Sequence, residues 1–288
     1  MFPAAFEYHR PTSVQEAVAL LEQSGGDAKV LAGGHSLLPL LKLRLAEPAA
    51  LIDIGRLPGM TGIQNQGGEL VIGSLTTHAT VATSDAVKQA APLLAEAANV
   101  IGDQQVRNRG TIGGSLAHAD PAGDLPAVIL ALEAQIKAVG PNGERTIAAN
   151  DFFVDMLTSA LGESEILTEI RIPALPSGAG TAYLKMDHPA SHYALCGVAA
   201  IVQLSGGNVQ DVRVAVTGVG SKAYRATGVE DALRGQAANE SSVEQAAQHA
   251  ADGIDALGDI HASTEYRSHL ARVFAKRALN EAIARARA

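Results

Sequence analysis

Cysteine is almost absent from the sequence, since Cys196 is the only one among 288 residues. A single cysteine excludes an intramolecular disulfide and an iron–sulfur cluster held by four thiolates of this chain. Its neighbours Ala194, Leu195 and Val198 are apolar. Because free cysteines in such surroundings are usually buried, we expect Cys196 to be a packing residue rather than a nucleophile.

Long runs of basic residues and long runs of apolar residues are also missing. The net charge is −8, and no run of basic residues could follow a nucleic-acid backbone, so nucleic acid is excluded as a partner. The longest uncharged apolar run, near residues 194–202, is well short of the roughly 20 residues of a transmembrane helix. The first residues, MFPAAFEYHRP, lack a basic start and an apolar core, which predicts no secretory signal and a cytoplasmic protein.

Enough apolar sequence remains for a folded protein of one large domain or two smaller ones, with 47% hydrophobic and 18% charged residues. Local patterns predict strands at 29–32, 51–54, 69–73, 134–139, 145–147, 165–172, 194–204 and 211–217. They predict helices after Thr12-Ser13, at 37–45, from 80, and at 93–101, 126–132, 241–254 and 264–286. Because the strands and helices do not alternate strictly, the pattern indicates an α+β fold. The Pro- and Gly-rich segment 173–180 is the best domain boundary.

Two glycine pairs are the most informative motifs. Ala32-Gly33-Gly34-His35-Ser36 lies between a predicted strand and a predicted helix, and Thr111-Ile112-Gly113-Gly114-Ser115 has a similar composition. Glycine lets a ligand approach the backbone and lets bare N–H groups point at an anion, so paired segments suit a pyrophosphate. Either segment alone is equally consistent with a tight turn.

Other motifs are weaker. Gly218-Val219-Gly220-Ser221-Lys222-Ala223 has the form of a dinucleotide-binding turn, but the sequence after it predicts neither the helix nor the acidic residue that such a site needs. We interpret it as a turn. Metal-like spacings occur at His188 with His192 and at His118 with Asp120, but Pro189 interrupts the first pair and neither has a third ligand. No G-x-S-x-G nucleophile elbow is present.

Two carboxylates, Asp120 and Asp124, follow the second glycine pair. Asp124 stands just before Pro126, which is typical of a helix start, so it could cap that helix. It could equally accept a hydrogen bond from a ribose hydroxyl. The spacing alone leaves both readings open.

Three segments together resemble a known family. They are KVLAGGHSLLPLLKLRL at 29–45, TIGGSLAHADPAGDLPAVILAL at 111–132 and EILTEIRIP at 165–173. They resemble the FAD-binding medium subunits of the molybdenum hydroxylases, which include carbon monoxide dehydrogenase, xanthine dehydrogenase and bacterial aromatic N-heterocycle hydroxylases. The resemblance implies a vanillyl-alcohol-oxidase-type FAD-binding fold with subdomains at 1–55 and 56–176. A C-terminal α+β domain of the carbon monoxide dehydrogenase flavoprotein type would occupy 177–288.

The resemblance also implies a set of FAD-binding residues. The first glycine segment would enclose the pyrophosphate with Lys29, Val30, Leu31, Ala32, Gly33, Gly34, His35 and Ser36, and the second with Thr111, Ile112, Gly113, Gly114 and Ser115. Asp124 matches a ribose-binding acid, Ile101 an apolar flavin contact, Leu167 a backbone contact, Lys185 a residue near the flavin, and Tyr193 a tyrosine beside the isoalloxazine ring. The segment 185–193 departs from the carbon monoxide dehydrogenase pattern and resembles medium subunits more broadly.

The function implied is that of an FAD-binding electron-transfer subunit of a heterotrimeric molybdenum hydroxylase. A small partner chain would carry the 2Fe–2S clusters and a large one the molybdenum cofactor, in a dimer of heterotrimers. Because a flavin supplies its own redox chemistry, this chain needs no acid–base residues of its own, and none are evident. Two alternatives stay open, a stand-alone flavin oxidoreductase and a non-catalytic interaction subunit. The sequence does not choose between carbon monoxide and an aromatic N-heterocycle as substrate, or among quinone, NAD and O₂ as acceptor.

Overall fold

The computed structural model describes residues 2–288. Its helices are α1 (Val14–Gln23), α2 (Leu37–Leu43), α3 (His78–Thr83), α4 (Asp85–Ala90), α5 (Pro92–Asn99), α6 (Gln104–Arg107), α7 (Ile112–His118), α8 (Asp124–Ala131), α9 (Ala149–Phe152), α10 (Thr227–Leu233), α11 (Glu240–Ala247) and α12 (Thr264–Ala286). Its strands are β1 (Glu7–His9), β2 (Ala28–Leu31), β3 (Ala50–Asp53), β4 (Ile63–Gln66), β5 (Glu69–Gly73), β6 (Gln135–Gly140), β7 (Gly143–Ala148), β8 (Phe153–Asp155), β9 (Thr158–Ser159), β10 (Ile166–Ile172), β11 (Gly180–Asp187), β12 (Ala194–Ser205), β13 (Asn208–Thr217) and β14 (Tyr224–Arg225).

A small parallel sheet with strand order β1-β3-β2 lies near the N-terminus. Helix α1 buries Ala17, Val18 and Leu21 in the core beside it, and Ser13 caps the helix by accepting a hydrogen bond from the Glu16 N–H. Because parallel strands need a crossover, the chain leaves β2 through the first glycine segment and α2 before it returns as β3. The glycine segment therefore lies at the carboxyl edge of this sheet.

An antiparallel sheet with order β4-β5-β10-β6-β7 forms the middle of the molecule. Its central strand, β10, pairs with β5 on one side and β6 on the other, so residues far apart in sequence meet there. Helices α3 to α5, α7 and α8 contribute to the largest hydrophobic cluster, which includes the fully buried Leu93, Leu94 and Ile129. This sheet and the helices hold the second glycine segment in place.

The C-terminal antiparallel sheet, β11-β12-β13-β14, is covered on both faces. Ala199 and Ile201 belong to the central cluster, whereas Val198 and Ala200 belong to the cluster formed with α10 to α12. This alternation follows from the two-residue period of a strand. Helix α8 contacts β12 and β13 and is buried along its whole length, which explains its nearly continuous apolar sequence.

The α+β class is confirmed, while several element limits differ from prediction. The predicted helix at 126–132 begins earlier, at Asp124, and the one at 241–254 ends as a helix at Ala247, followed by a 3₁₀ turn. Strands β1, β4, β8, β9, β11 and β14 were not predicted. The proposed boundaries after residues 55 and 176 stay predictions, and hydrophobic clusters extend across both positions. None of the helices within residues 2–288 is long and apolar enough to cross a membrane.

Candidate functional site

A cavity of about 590 Å³ lies between the first glycine segment, the start of α7 and the start of β10. This volume is within the usual range of ligand pockets, roughly 300–1,000 Å³. Most of the residues expected from the family resemblance line it: Lys29, Val30, Ala32, Gly33, Gly34, His35, Ser36, Ile101, Thr111, Gly113, Gly114, Ser115, Asp124, Leu167 and Tyr193. The expected residues outside its wall are Leu31, Ile112 and Lys185. The fold thus brings both glycine segments to one cavity.

The first glycine segment, residues 32–36, has free hydrogen-bond donors. The backbone N–H groups of Gly33, Gly34, His35 and Ser36 have no acceptor among residues 2–288. Gly34 has a φ of +79°, a conformation that favours glycine, and the Ser36 side chain makes no capping hydrogen bond to α2. Successive free N–H groups form a concave anion-binding surface.

The second glycine segment, residues 111–115, is the first turn of α7 rather than a loop. Four of its five N–H groups are already used: Ile112 donates to the Thr76 carbonyl, Gly113 to the Ser74 carbonyl, Gly114 to Thr111 Oγ1 and Ser115 to the Thr111 carbonyl. The expectation that both segments present bare N–H groups is therefore wrong for this one. Its glycines instead allow close packing, since a Cβ on Gly113 would overlap the Ser74 side chain.

The two segments touch each other across the cavity wall. A Cβ on Gly33 would overlap the Arg109 carbonyl and lie 3.0 Å from the Gly110 Cα, and a Cβ on Gly114 would lie 3.9 Å from the Ala32 Cβ. Contacts below 3.0 Å require backbone movement. Small residues at these points therefore set the distance between the two walls.

Asp124 is buried at the cavity wall, with 6% of its surface exposed. Tyr183 donates a hydrogen bond of 2.6 Å to Oδ1, and Lys185 Nζ lies 3.1 Å from Oδ1 and 3.2 Å from Oδ2. Burial raises the pKa of Asp124, against the opposing effect of Lys185. Because Gly123 is the N-cap of α8 and no side chain caps it, the capping reading of Asp124 is wrong.

Lys185 is a structural link rather than part of the cavity wall. Besides Asp124, its ammonium donates to the carbonyls of Val100 at 2.7 Å and His192 at 2.8 Å. A lysine has three N–H donors, so all of them are used by the protein. Lys185 therefore fixes two parts of the site, next to Ile101 and to Tyr193, instead of reaching a ligand itself.

Part of the cavity lining is apolar. Ile101, Leu157, Leu161 and Leu167 line it together with Tyr193, of which 46% is exposed. Burial of part of the ring, followed by the charges of nearby carboxylates, raises the pKa of Tyr193. The phenol therefore stays neutral at physiological pH. Such a wall suits a planar ring that is apolar on its faces.

Sequence reasoning missed several lining residues, and two of them, Ser74 and His78, are polar and buried. Both carry a buried polar atom without a hydrogen-bond partner in the described part of the chain, Ser74 Oγ and His78 Nδ1. Burial, together with the charges of His35 and Arg107, lowers the pKa of His78 to about 4. Neither residue stands in a motif, so only the folded contact between the β5–α3 connection and the second glycine segment could have revealed them.

The weaker motifs form no second site. The turn at Gly218 leads into the antiparallel strand β14 rather than a helix, as we interpreted it. His192 pairs with Asp187 at 3.1 Å, and His188 packs edge-to-face against His261. No group of three metal-ligating side chains occurs within residues 2–288. Cys196 is fully buried, which raises its pKa to about 12 and confirms the packing role.

The residues present fit a dinucleotide such as FAD. Four free N–H groups suit a diphosphate, and the buried carboxylate of Asp124 suits a sugar hydroxyl. The apolar lining residues suit a planar aromatic ring. Two partnerless polar atoms at the wall, on Ser74 and His78, are also typical of a site built around a polar ligand.

Comparison with known proteins defines the class. Residues 4–175 match the family model of the FAD binding domain in molybdopterin dehydrogenase, and residues 181–282 match that of the CO dehydrogenase flavoprotein C-terminal domain. The chain belongs to the FAD-binding medium subunits of the molybdenum hydroxylases, so the resemblance seen in the sequence is confirmed.

Individual relatives cover nearly the whole chain. It is 46% identical over 285 residues to the carbon monoxide dehydrogenase medium chain of Hydrogenophaga pseudoflava, with 99% of each chain covered. It is 40% identical to the 6-hydroxypseudooxynicotine dehydrogenase complex subunit alpha of Paenarthrobacter nicotinovorans, over 100% of this chain and 97% of the relative. A solved structure of carbon monoxide dehydrogenase from Hydrogenophaga pseudoflava matches with a TM-score of 0.97 and 47% identity, over 99% of each chain. The chain is therefore an oxidoreductase subunit with an FAD-binding domain.

Proposed function

We propose that this chain is the electron-transfer subunit of a three-component molybdenum hydroxylase. It would receive electrons from 2Fe–2S clusters in a small partner chain and pass them to an external acceptor, while a large chain oxidises the substrate at molybdenum. The cavity with its free N–H groups carries this proposal. FAD bound there supplies the redox chemistry that links one-electron and two-electron carriers.

The chain's own residues would bind and orient the cofactor. The N–H groups of residues 33–36 would hold the diphosphate, and residues 111–115 would enclose it from the other side by their shape. Asp124, whose carboxylate is held by Tyr183 and Lys185, would accept a hydrogen bond from a ribose hydroxyl. Ile101, Leu167 and Tyr193 would contact the flavin end.

Partner chains are needed because this chain lacks the groups for the other centres. Its single cysteine is buried, and no metal-ligating cluster occurs within residues 2–288. The relatives described above are a medium chain and a complex subunit. We therefore propose a cytoplasmic dimer of heterotrimers that acts on carbon monoxide or an aromatic N-heterocycle, with the substrate determined by the large chain.

The test isolates the complex through a tag on this chain, then records its absorption spectrum and the masses of its subunits. Two variants of equal side-chain size but different charge, Ser36→Glu and Ser36→Gln, test whether the cavity binds the diphosphate of FAD. Ser36 makes no capping bond, so either change should preserve the fold. A carboxylate beside the diphosphate should weaken FAD binding by about 5-fold or more, since one like-charge contact costs on the order of 1–4 kcal/mol near a surface. Glutamine should weaken it far less.

The outcomes separate the alternatives. A flavin spectrum with one large and one small co-purified chain, lost in Ser36→Glu alone, supports the proposal. A flavin-containing single chain that turns over a substrate would instead indicate a stand-alone oxidoreductase. A complex that contains no flavin even after incubation with excess FAD would identify a non-catalytic interaction subunit.

A further inference from the structure

The connection between β5 and α3 forms a third wall of the cavity and ends at His78. His78 is the first residue of α3, which Thr77 caps by accepting a hydrogen bond from the Thr80 N–H. Its own backbone N–H donates to the Gly110 carbonyl at 3.0 Å. Only 4% of the residue is exposed. Its position is therefore fixed by backbone contacts that do not use the imidazole.

The imidazole itself has no hydrogen bond within the described chain. Nδ1 is sealed from solvent without a partner. Nε2 lies on the ring edge beside Gly110, another lining residue, where a Cβ would approach it to 2.9 Å. Because Nδ1 is enclosed by the protein, Nε2 is the ring nitrogen left for a ligand, and it has no protein partner to give up when a ligand binds.

The surroundings of the ring favour an anionic ligand. The charged groups that act on it are His35, from the first glycine segment, and Arg107, from α6, and both are basic. Arg107 is held in place because its guanidinium donates to the carbonyls of Ile101 and Gly102. Two basic groups from two other elements therefore act on the ring, and one of them, His35, also lines the cavity.

The contacts of Gly110 indicate which part of a dinucleotide lies nearest. Gly110 separates the His78 ring from Gly33, since a Cβ on Gly33 would lie 3.0 Å from the Gly110 Cα. Gly33 begins the run of free N–H groups described above. The His78 ring is therefore close to the surface suited to a diphosphate.

We propose that His78 is a further cofactor-binding residue, whose Nε2 donates a hydrogen bond to the diphosphate of the bound dinucleotide. This proposal rests on the function proposed above. It adds a residue from outside both glycine segments and gives the partnerless imidazole a role. Because the backbone already fixes His78, the ring is pre-organised before the ligand binds.

The experiment compares three variants of the FAD-depleted complex by titration with FAD. His78→Gln places an amide near the position of Nε2, His78→Asn places one near Nδ1, and His78→Phe keeps an aromatic ring without nitrogen. We expect Gln to stay within about threefold of the wild-type dissociation constant and Asn and Phe to weaken it roughly 10- to 100-fold, as for one hydrogen bond to a charged group. Thermal midpoints of the FAD-depleted complexes report any structural damage.

Rescue by Gln together with loss in Asn and Phe, at similar thermal midpoints, supports the proposal. Wild-type affinity in His78→Phe would overturn it and identify a packing residue. Equal weakening in all three variants would overturn it too, because the position of the donor would not matter. Failure of the wild-type complex itself to bind FAD would instead overturn the proposed function.

Discussion

The two glycine segments look alike in sequence and differ in structure. Residues 33–36 keep four backbone N–H groups without an acceptor inside residues 2–288, whereas residues 112–115 use theirs on neighbouring backbone and on the Thr111 hydroxyl. The first segment is a loop at the edge of a sheet, and the second is a helical turn packed on Ser74. A glycine pair thus marks a close approach without saying what approaches, a ligand or the protein itself.

This difference separates binding from stability. Changes in the first segment that leave its packing intact should alter ligand affinity, and changes in the second should alter the stability of the fold. The contact between Gly33 and Arg109 is where the two properties meet, because it holds the segments together. Substitutions at and around this contact can therefore test the comparison.

The largest effect is expected from Gly33→Ala. A Cβ here overlaps the Arg109 carbonyl, a backbone atom that cannot rotate away. Overpacking of this kind costs about 3 kcal/mol at its upper end. The thermal midpoint of the FAD-depleted complex should then fall by roughly 6 to 12 °C. FAD binding should also be lost, because the walls of the cavity move apart.

Gly162→Ala is the matched control. Its Cβ would make an ordinary contact of 3.4 Å with the flexible Glu165 side chain, so stability and FAD content should stay close to wild type. If Gly33→Ala kept the wild-type midpoint, the two segments would not be in the close contact described here.

The sequence predicted the first segment well because its signals are local. A strand, two glycines and a helix follow one another within residues 29–43, and the structure has them in that order. The second segment was predicted as a loop since Gly113 and Gly114 disfavour a helix. The cap by Thr111 and the packing on Ser74 override that propensity, and the latter contact is long-range.

Long-range contacts also explain the other differences at the site. His78 belongs to no motif, and its place at the wall depends on Gly110, which is distant in sequence. Lys185 matches a family position near the flavin, but its donors are taken by Val100, Asp124 and His192. Residue type and family position predicted in which region of the molecule each side chain lies. The hydrogen-bond partners of its polar atoms could be found only in the folded structure.

A second prediction concerns the pH dependence of stability, which we expect from His78, whose ring lies beside Gly110. Burial and the charges of His35 and Arg107 lower the pKa of His78 to about 4, from 6.5 in its ordinary state. The unfolded chain therefore binds more protons than the folded one between these values, so stability is full above pH 6.5 and falls as the pH drops towards 4. The loss can reach about 3 kcal/mol, at 1.36 kcal/mol for each unit of pKa shift.

Thermal midpoints of the FAD-depleted complex from pH 7 to pH 4.5 measure this loss. His78→Gln should flatten the curve, because glutamine takes up no proton. His269→Gln, a change at an exposed histidine of α12, should leave the wild-type curve unchanged. A wild-type curve that His78→Gln does not flatten would mean that the His78 ring is not held neutral under Gly110.

The smallest effect is expected from Thr111→Val. This variant tests most directly whether the second segment serves stability rather than ligand binding. Valine keeps the shape of threonine but cannot accept the hydrogen bond from the Gly114 N–H, now 3.1 Å long. Loss of such a cap costs about 1 kcal/mol. The thermal midpoint should fall by roughly 2 to 4 °C. The FAD dissociation constant should change by less than about threefold, because the Thr111 hydroxyl serves the cap of α7 and its loss removes no bond to the ligand.

Thr111→Ser retains the hydroxyl and should keep both the wild-type midpoint and the wild-type affinity. The opposite pattern for Thr111→Val, a large loss of FAD affinity at unchanged stability, would mean that the threonine hydroxyl serves the ligand. The second segment would then bind by its donors and acceptors as the first one does. In that case the sequence similarity of the two segments would reflect a common role after all, and the hydrogen bonds within residues 111–115 would have to rearrange when the cofactor binds.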